Sequence, residues 1–436
     1  MSLRAPLLTA LAFLPILAIG CAAPADESPA EESGEDAYTS STARLLDMEF
    51  DGEVQMSFGD PEQTIRDQML FTIGQLNGKT GVGRLDKLTL SNVKSESVNG
   101  LTRVTYHAKL PVSMAKTTKF GRTYTFVLPK RADWEGQEAF YKKNNNGGHG
   151  GGCVDWGAHD LETGIFWYYY RPEQAGCTLD ANDVVKAKAT VRVSPENTKN
   201  TYPEYDKIWS DKTLNVVAIF GKVEDGAKTS ADRGIWSHGH FVSTMRRELP
   251  NAKVTPANVA DAPGIESPDV TIESTLPDGR KVKLTSFLVD NVREGGAAFE
   301  RRYNELSGSA DVIAYNGHAG LGQNVRALAK MGTFKAAQYQ IIYMNGCDTF
   351  AYVDGTLAQT RAKLNPDDPT GTKYMEILTN SMPPNWDSLP NNTMSLVRDL
   401  MKVDAPESYT SLLSHFDQSG FVAVTGDEDN KFKPVR

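Results

Sequence analysis

A chain of 436 residues with 40% hydrophobic residues can bury a sizeable core, and its length points to two domains. The formal net charge of −9 divides into +1 from Arg4, −6 from residues 22–43 and −4 from everything after them, so the bulk of the chain is close to neutral. No Lys/Arg cluster offers a phosphate footprint, and nucleic acid is therefore not an expected partner.

The chain opens MSLRAPLLTALAFLPILAIGC, one base followed by an apolar run from Ala5 to Ile19 broken by Pro6, Thr9 and Pro15. That run is short for a membrane span, which needs about 20 apolar residues. A basic start, an apolar middle and a small-residue end read as a secretory signal over residues 1–20. The ending Ala18, Ile19, Gly20, Cys21 resembles the lipobox of bacterial lipoproteins, with Ala18 where leucine is usual. The resemblance implies that Cys21 is lipidated and anchors the protein to a membrane of the bacterial cell envelope. Residues 22–43 carry six acids and no base among Ala, Ser, Pro and Gly. Such a segment cannot bury a core, so residues 21–43 are expected to be a disordered tether with a reach of roughly 25 Å.

Residues 44–200 are expected to form a β-rich domain. Val104, Tyr106, Ala108 and Leu110 alternate with Thr105, His107 and Lys109, and Val185, Ala187, Ala189, Val191 and Val193 repeat the pattern. His107 falls on the polar face. Between these strands lies a glycine-rich loop with Cys153 and Cys177 that runs into the aromatic stretch Phe166 to Tyr170, read as strand packing. Ser194 to Asp211, rich in turn formers, reads as the linker.

From residue 211 to 436 the period changes. LNVVAIFG is a continuous apolar run of the kind a doubly covered parallel strand needs. In GIWSHGHFVSTMRREL, residues Ile235, His238, Phe241, Val242, Met245 and Leu249 share one helical face. A helix at AAFERRYNEL precedes the strand DVIAYNGH, and a helix at NVRALAKM precedes the strand QIIYMNGC. The rhythm predicts an α/β fold: an open parallel sheet flanked by helices, with the last two strands side by side.

The compartment then assigns the cysteines. An exported protein favours a Cys153–Cys177 disulfide, and a zinc site with His149 and His159 is the rival. Cys347 is left alone. It ends one predicted strand and His318 ends the strand before it. Parallel neighbours about 4.8 Å apart would present both side chains at the carboxyl edge, where open α/β sheets bind ligands. A thiol beside an imidazole is a nucleophile beside a base. Ala319, Gly320 and Gly346 leave backbone amides to face a developing oxyanion.

These two blocks, Tyr315-Asn316-Gly317-His318 and Asn345-Gly346-Cys347-Asp348-Thr349, each ending an apolar strand, resemble the caspase-like (clan CD) cysteine peptidases, which include gingipains, clostripain, metacaspases and CHAT domains. The motif resemblance covers Asp311 to Phe350, and the architecture runs from Leu214 to the C-terminus. It implies an endopeptidase with Cys347 and His318 as its dyad, no cofactor, and peptide or protein as substrate. The family usually has glycine directly after the histidine; here Ala319 precedes Gly320, and alanine keeps the backbone N–H.

Asp225 and Asp232, in the loop after the first parallel strand, share that edge and are the candidates for recognising a basic substrate residue. His238 and His240, two apart on a helix, do not converge on a metal. The acidic run Gly426 to Asn430 lacks the regular oxygen spacing of a calcium loop, and no metal site is assigned. The alternative function is a noncatalytic envelope lipoprotein whose β-rich domain binds a partner protein or polymer.

Overall fold

The structure is a computed structural model that describes residues 37–434. The expected signal peptide, Cys21 and the tether up to residue 36 lie outside the described residues. The tether's expected end does not hold. Tyr38–Ser40 forms β1, because Tyr38 is buried and pairs in register with Thr425.

The first sheet is antiparallel. It contains β2 (Ala43–Met56), β3 (Gly81–Gly83), β4 (Thr89–Val98), β5 (Leu101–Ala115), β6 (Thr123–Pro129) and β7 (Val184–Val193). Its path runs β3-β5-β2-β7-β6, with β4 on β5. The alternation read from the sequence holds for Val104, Tyr106, Ala108, Leu110, Ala187, Ala189 and Val191, which face the core, but not at the strand's end, where Val193 is exposed; Val185 is half-buried. Helix α1 (Pro61–Asn77) covers that face, started by Asp60, whose side chain accepts from the Gln63 amide. Helix α2 (Trp134–Asn144) follows, and then the short α3 (Phe166–Tyr169). The aromatic run is thus a helical turn. Phe166 and Tyr170 pack edge-on against Phe71 of α1 and Phe140 of α2, with ring centroids 5.5–6.3 Å apart.

After α4 (Tyr205–Ile208) the chain builds the second sheet from β8 (Thr213–Gly221), β9 (Lys253–Thr255), β10 (Asp269–Thr275), β11 (Lys281–Val289), β12 (Val312–Asn316), β13 (Gln340–Asn345), β14 (Met375–Asn380) and β15 (Val422–Thr425). Its order is β1-β15-β14-β13-β12-β8-β11-β10-β9. The five central strands are parallel, and both edges are antiparallel. The sheet is therefore mixed rather than wholly parallel. One cause is local: the Asp278-Gly279 turn, with Gly279 at φ +88°, folds β10 onto β11 as a hairpin.

Helices α5 (Arg233–Glu248), α6 (Gly296–Ser307), α7 (Gln323–Lys330), α8 (Thr349–Tyr352), α9 (Thr356–Leu364), α10 (Leu389–Met401) and α11 (Tyr409–Ser414) connect these strands. Phe241 and Met245 of α5 pack in one core with Leu396 and Leu400 of α10 and Leu412 of α11. Phe299 of α6 and Val325 and Leu328 of α7 belong to a second core that continues into the first sheet. Each aliphatic side chain fully buried there contributes roughly 1.5–3 kcal/mol over exposure. The acidic run after β15 acquires partners as well: Asp427 accepts from Thr39 and Thr201, tying β1 and the linker to the end of the chain.

Candidate active site

Strands β12 and β13 are parallel neighbours, and their register sets Asn316 opposite Asn345. His318 and Cys347 each follow two residues later, so both emerge at the carboxyl edge. The asparagine that precedes glycine in each motif has a physical role. Buried Asn345 donates to Asn316 Oδ1 at 2.9 Å and to the Leu389 carbonyl at 3.1 Å, and it accepts from Asn380 of β14 at 3.3 Å. Thr393 of α10 closes the ladder on Asn316 Oδ1 at 2.8 Å. In this way three strand ends are pinned where the functional loops begin.

The loops meet closely. Gly317 donates its amide to the Asn345 carbonyl at 3.2 Å. A Cβ on Gly346 would lie 2.6 Å from the Gly317 carbonyl oxygen and 3.2 Å from the Ala319 nitrogen, so only glycine permits this approach. Of the expected oxyanion groups, the Gly346 amide already donates to Met344 O at 3.2 Å. The Ala319 and Gly320 amides donate to no acceptor among the described residues.

His318 is half-buried, and its Nε2 lies 3.0 Å from the Val223 carbonyl oxygen. A carbonyl only accepts, so Nε2 carries the proton and Nδ1 keeps its lone pair. The His318 backbone carbonyl is held in turn by Tyr315 at 2.7 Å and Asn324 at 2.9 Å. Trp386 packs edge-on against the imidazole at 4.9 Å. The orienting group is thus a backbone carbonyl, which no sequence motif marks. Trp386 offered a weak signal, as an aromatic in a Pro-Pro-Asn loop that follows a strand end.

Cys347 keeps a partly exposed surface, yet burial pushes its thiol up to about 12, with the Asp348 carboxylate adding to the effect. No direct hydrogen bond joins it to His318. Asp348 turns the chain into α8 in the left-handed conformation, φ +52°, which aspartate tolerates better than most residues. Its fully buried carboxyl accepts from Asn77 at 3.2 Å and Tyr168 at 3.0 Å, both from the first 200 residues. Burial raises it to about 7. These two contacts bring α1 and the aromatic turn to the candidate site.

The two acids expected to meet substrate stand in different surroundings. Asp232 is a cap: Oδ1 accepts from the Gly234 and Ile235 amides that start α5, and Oδ2 accepts from the Val223 and Glu224 amides. It shapes the loop whose carbonyl holds His318 and has no oxygen left for substrate. Asp225 is exposed and accepts from Asn291 at 3.2 Å.

Cys153 and Cys177 form a disulfide, which removes the zinc alternative. His159 turns instead to Asp160 and Tyr169. His238 is buried between Ser286 and the Ser267 carbonyl, and burial lowers it to about 4. His240 stacks on Trp236 at 4.7 Å. Asp399, Glu407 and His415 converge near one another, with Lys402 Nζ 2.7 Å from both carboxylates as their counterion. Comparison with family models, with curated proteins and with solved structures finds no match for this chain.

Proposed function

We propose that this protein is a cysteine endopeptidase anchored to the bacterial cell envelope through lipid on Cys21, with Cys347 as nucleophile and His318 as base. One observation carries the reading: His318 and Cys347 stand at matching positions of adjacent parallel strands, with the imidazole fixed by Val223 so that Nδ1 is its basic nitrogen. The caspase-like resemblance of the two blocks adds to it.

In this mechanism His318 Nδ1 takes the thiol proton as sulfur bonds to the scissile carbonyl carbon. The oxyanion forms near the free amides of Ala319 and Gly320. The imidazolium returns its proton to the amine as the C–N bond breaks. Water, deprotonated by the same nitrogen, then hydrolyses the thioester and regenerates the thiol. The expected partners are a peptide or protein substrate and the membrane, with no nucleic acid and no cofactor.

The second reading, a noncatalytic envelope lipoprotein, rests on the elevated pKa of the Cys347 thiol, which leaves it protonated without a ligand. Electrophilic peptide probes, varied at the residue before the warhead, separate the two. The peptidase reading expects a Cys347 adduct by mass spectrometry and slower labelling in His318→Ala. Equal, slow labelling of both proteins by every probe overturns it in favour of the binding reading.

A further inference from the structure

Three segments far apart in sequence meet around a cavity of about 480 Å³ at the β6 edge of the first sheet: the turn after α1, the loop between β5 and β6, and β7. Lys79, Lys119 and Lys186 each bring an ammonium group to its lining. Their spacing in the chain hides this from any local reading. The loop itself, Lys116 to Arg122, carries three bases and no acid. Phe120 and Tyr124 form an aromatic wall, with ring centroids 5.7 Å apart.

The lining has donors in excess. Its single acid, Glu173, is already in use: Oε2 pairs with Lys79 at 2.7 Å and Oε1 accepts from Gln75 at 3.1 Å. Lys119 and Lys186 have no ion-pair or hydrogen-bond partner among the described residues. The Tyr124 hydroxyl is buried within electrostatic reach of Glu173 and has no partner either. An oxyanion supplies the acceptors that these groups lack. Phosphate oxygens point in several directions and suit donors from separate strands, and lysine offers a point charge rather than the planar fork that matches a carboxylate. Phe120 and Val127 add apolar surface for whatever is esterified to that phosphate. The position fits a lipid. Lys116, which opens the loop, donates to the Ser40 and Ser41 carbonyls at 2.8 and 3.0 Å, so the cavity lies near the first strand of the described chain. A basic loop with an aromatic side chain suits the negative interface of a phospholipid leaflet.

We propose that this cavity binds the phosphate of an anionic phospholipid, so that the β6 edge of the first sheet rests on a leaflet. Lys119 and Lys186 neutralise the phosphate, Tyr124 donates to it, and Phe120 lies against the apolar part of the lipid. The inference is independent of the peptidase reading. To test it, the intact protein is mixed with vesicles of phosphatidylcholine alone or with about one third phosphatidylglycerol. Its lysines are then acetylated, and the rate at each is read by mass spectrometry.

Acetylation of Lys119 and Lys186 should slow at least about fivefold on anionic vesicles relative to neutral ones, and the difference should vanish in molar salt. Lys253, on β9 at the far edge of the second sheet, should label alike on both. In Lys119→Gln the protection of Lys186 should fall at least about threefold, and Tyr124→Phe should weaken it in the same direction. Equal labelling of Lys119 and Lys186 on the two kinds of vesicle overturns the inference. So does protection by glycerol 3-phosphate or polyphosphate in solution without protection by vesicles, which assigns the cavity to a soluble ester or polyanion. Equal protection of every exposed lysine, Lys253 included, also overturns it, because the contact is then a general coating and not this cavity.

Discussion

Tyr168 donates its hydroxyl proton to Asp348 Oδ2 at 3.0 Å, across 180 residues of sequence. Together with Asn77 it places a buried carboxyl immediately beside Cys347. Burial raises that carboxyl from 3.8 to about 7, so the proton it holds is linked to folding. Between these values the folded protein keeps a proton that the unfolded chain has released. The stabilising contribution is full below the lower value and is lost as pH rises to about 7. Asp348→Asn, which tolerates the same left-handed backbone, removes this dependence. Urea unfolding at several pH values should show the variant gaining on the wild type as pH rises from acid to neutral. Parallel pH profiles would show that folding leaves the Asp348 carboxyl unshifted.

The same variant addresses the thiol. The ionised Asp348 carboxylate raises the Cys347 pKa by like-charge repulsion, beyond what burial does. Asp348→Asn should therefore speed alkylation of Cys347 by iodoacetamide above pH 7, by roughly threefold to tenfold if half to one unit is recovered. At mildly acidic pH, where Asp348 is already protonated, the two proteins should react alike. An acceleration equal at all pH values would assign the effect to loosened packing.

Much of this arrangement was legible in the sequence because it depends on short-range pattern. Continuous apolar runs gave β8, β12 and β13, and helices at the expected places implied their parallel neighbourhood, so His318 and Cys347 came to one edge. The rest depends on contacts that no local pattern encodes. Nothing in the sequence marks the Val223 carbonyl as the group that fixes His318, since every residue carries one. Asp225 and Asp232 looked equivalent, and only the fold shows that one is a cap with both oxygens in use and the other an exposed side chain. Tyr168 and Asn77 lie 180 and 271 residues from Asp348, beyond any periodicity. The aromatic run was misread because five consecutive aromatics satisfy a buried strand and a buried helical turn equally well.

Asp232 acts on the candidate site through Val223. Asp232→Ala leaves two helix-start amides and the Val223 and Glu224 amides without their acceptor, which should cost about 1–2 kcal/mol of stability. It also frees the carbonyl that orients His318. Labelling of Cys347 by a peptide electrophile should slow at temperatures where the variant is fully folded, as judged by circular dichroism. Unchanged labelling alongside lower stability would confine Asp232 to capping α5.

The disulfide reaches the same turn from the other side. Cys153 and Cys177 bracket the aromatic turn, and the Cys153 carbonyl accepts from the Arg171 amide at 2.8 Å. Arg171 donates to the Gly74, Tyr168 and Tyr170 carbonyls and pairs with Asp155 at 3.0 Å, which holds Tyr168 against α1. Removing the cross-link in a Cys153→Ser, Cys177→Ser double variant should lower stability by about 3 kcal/mol, as expected for closing a loop of this length. If the cross-link also steadies Tyr168, the Asp348 carboxyl gains water, and relief of burial, the larger influence on it, outweighs the loss of the Tyr168 donor. Its pKa then falls, and the pH at which alkylation of Cys347 diverges from that of Asp348→Asn should move downward. A stability loss with that divergence unmoved would show that Arg171 alone keeps Tyr168 on Asp348.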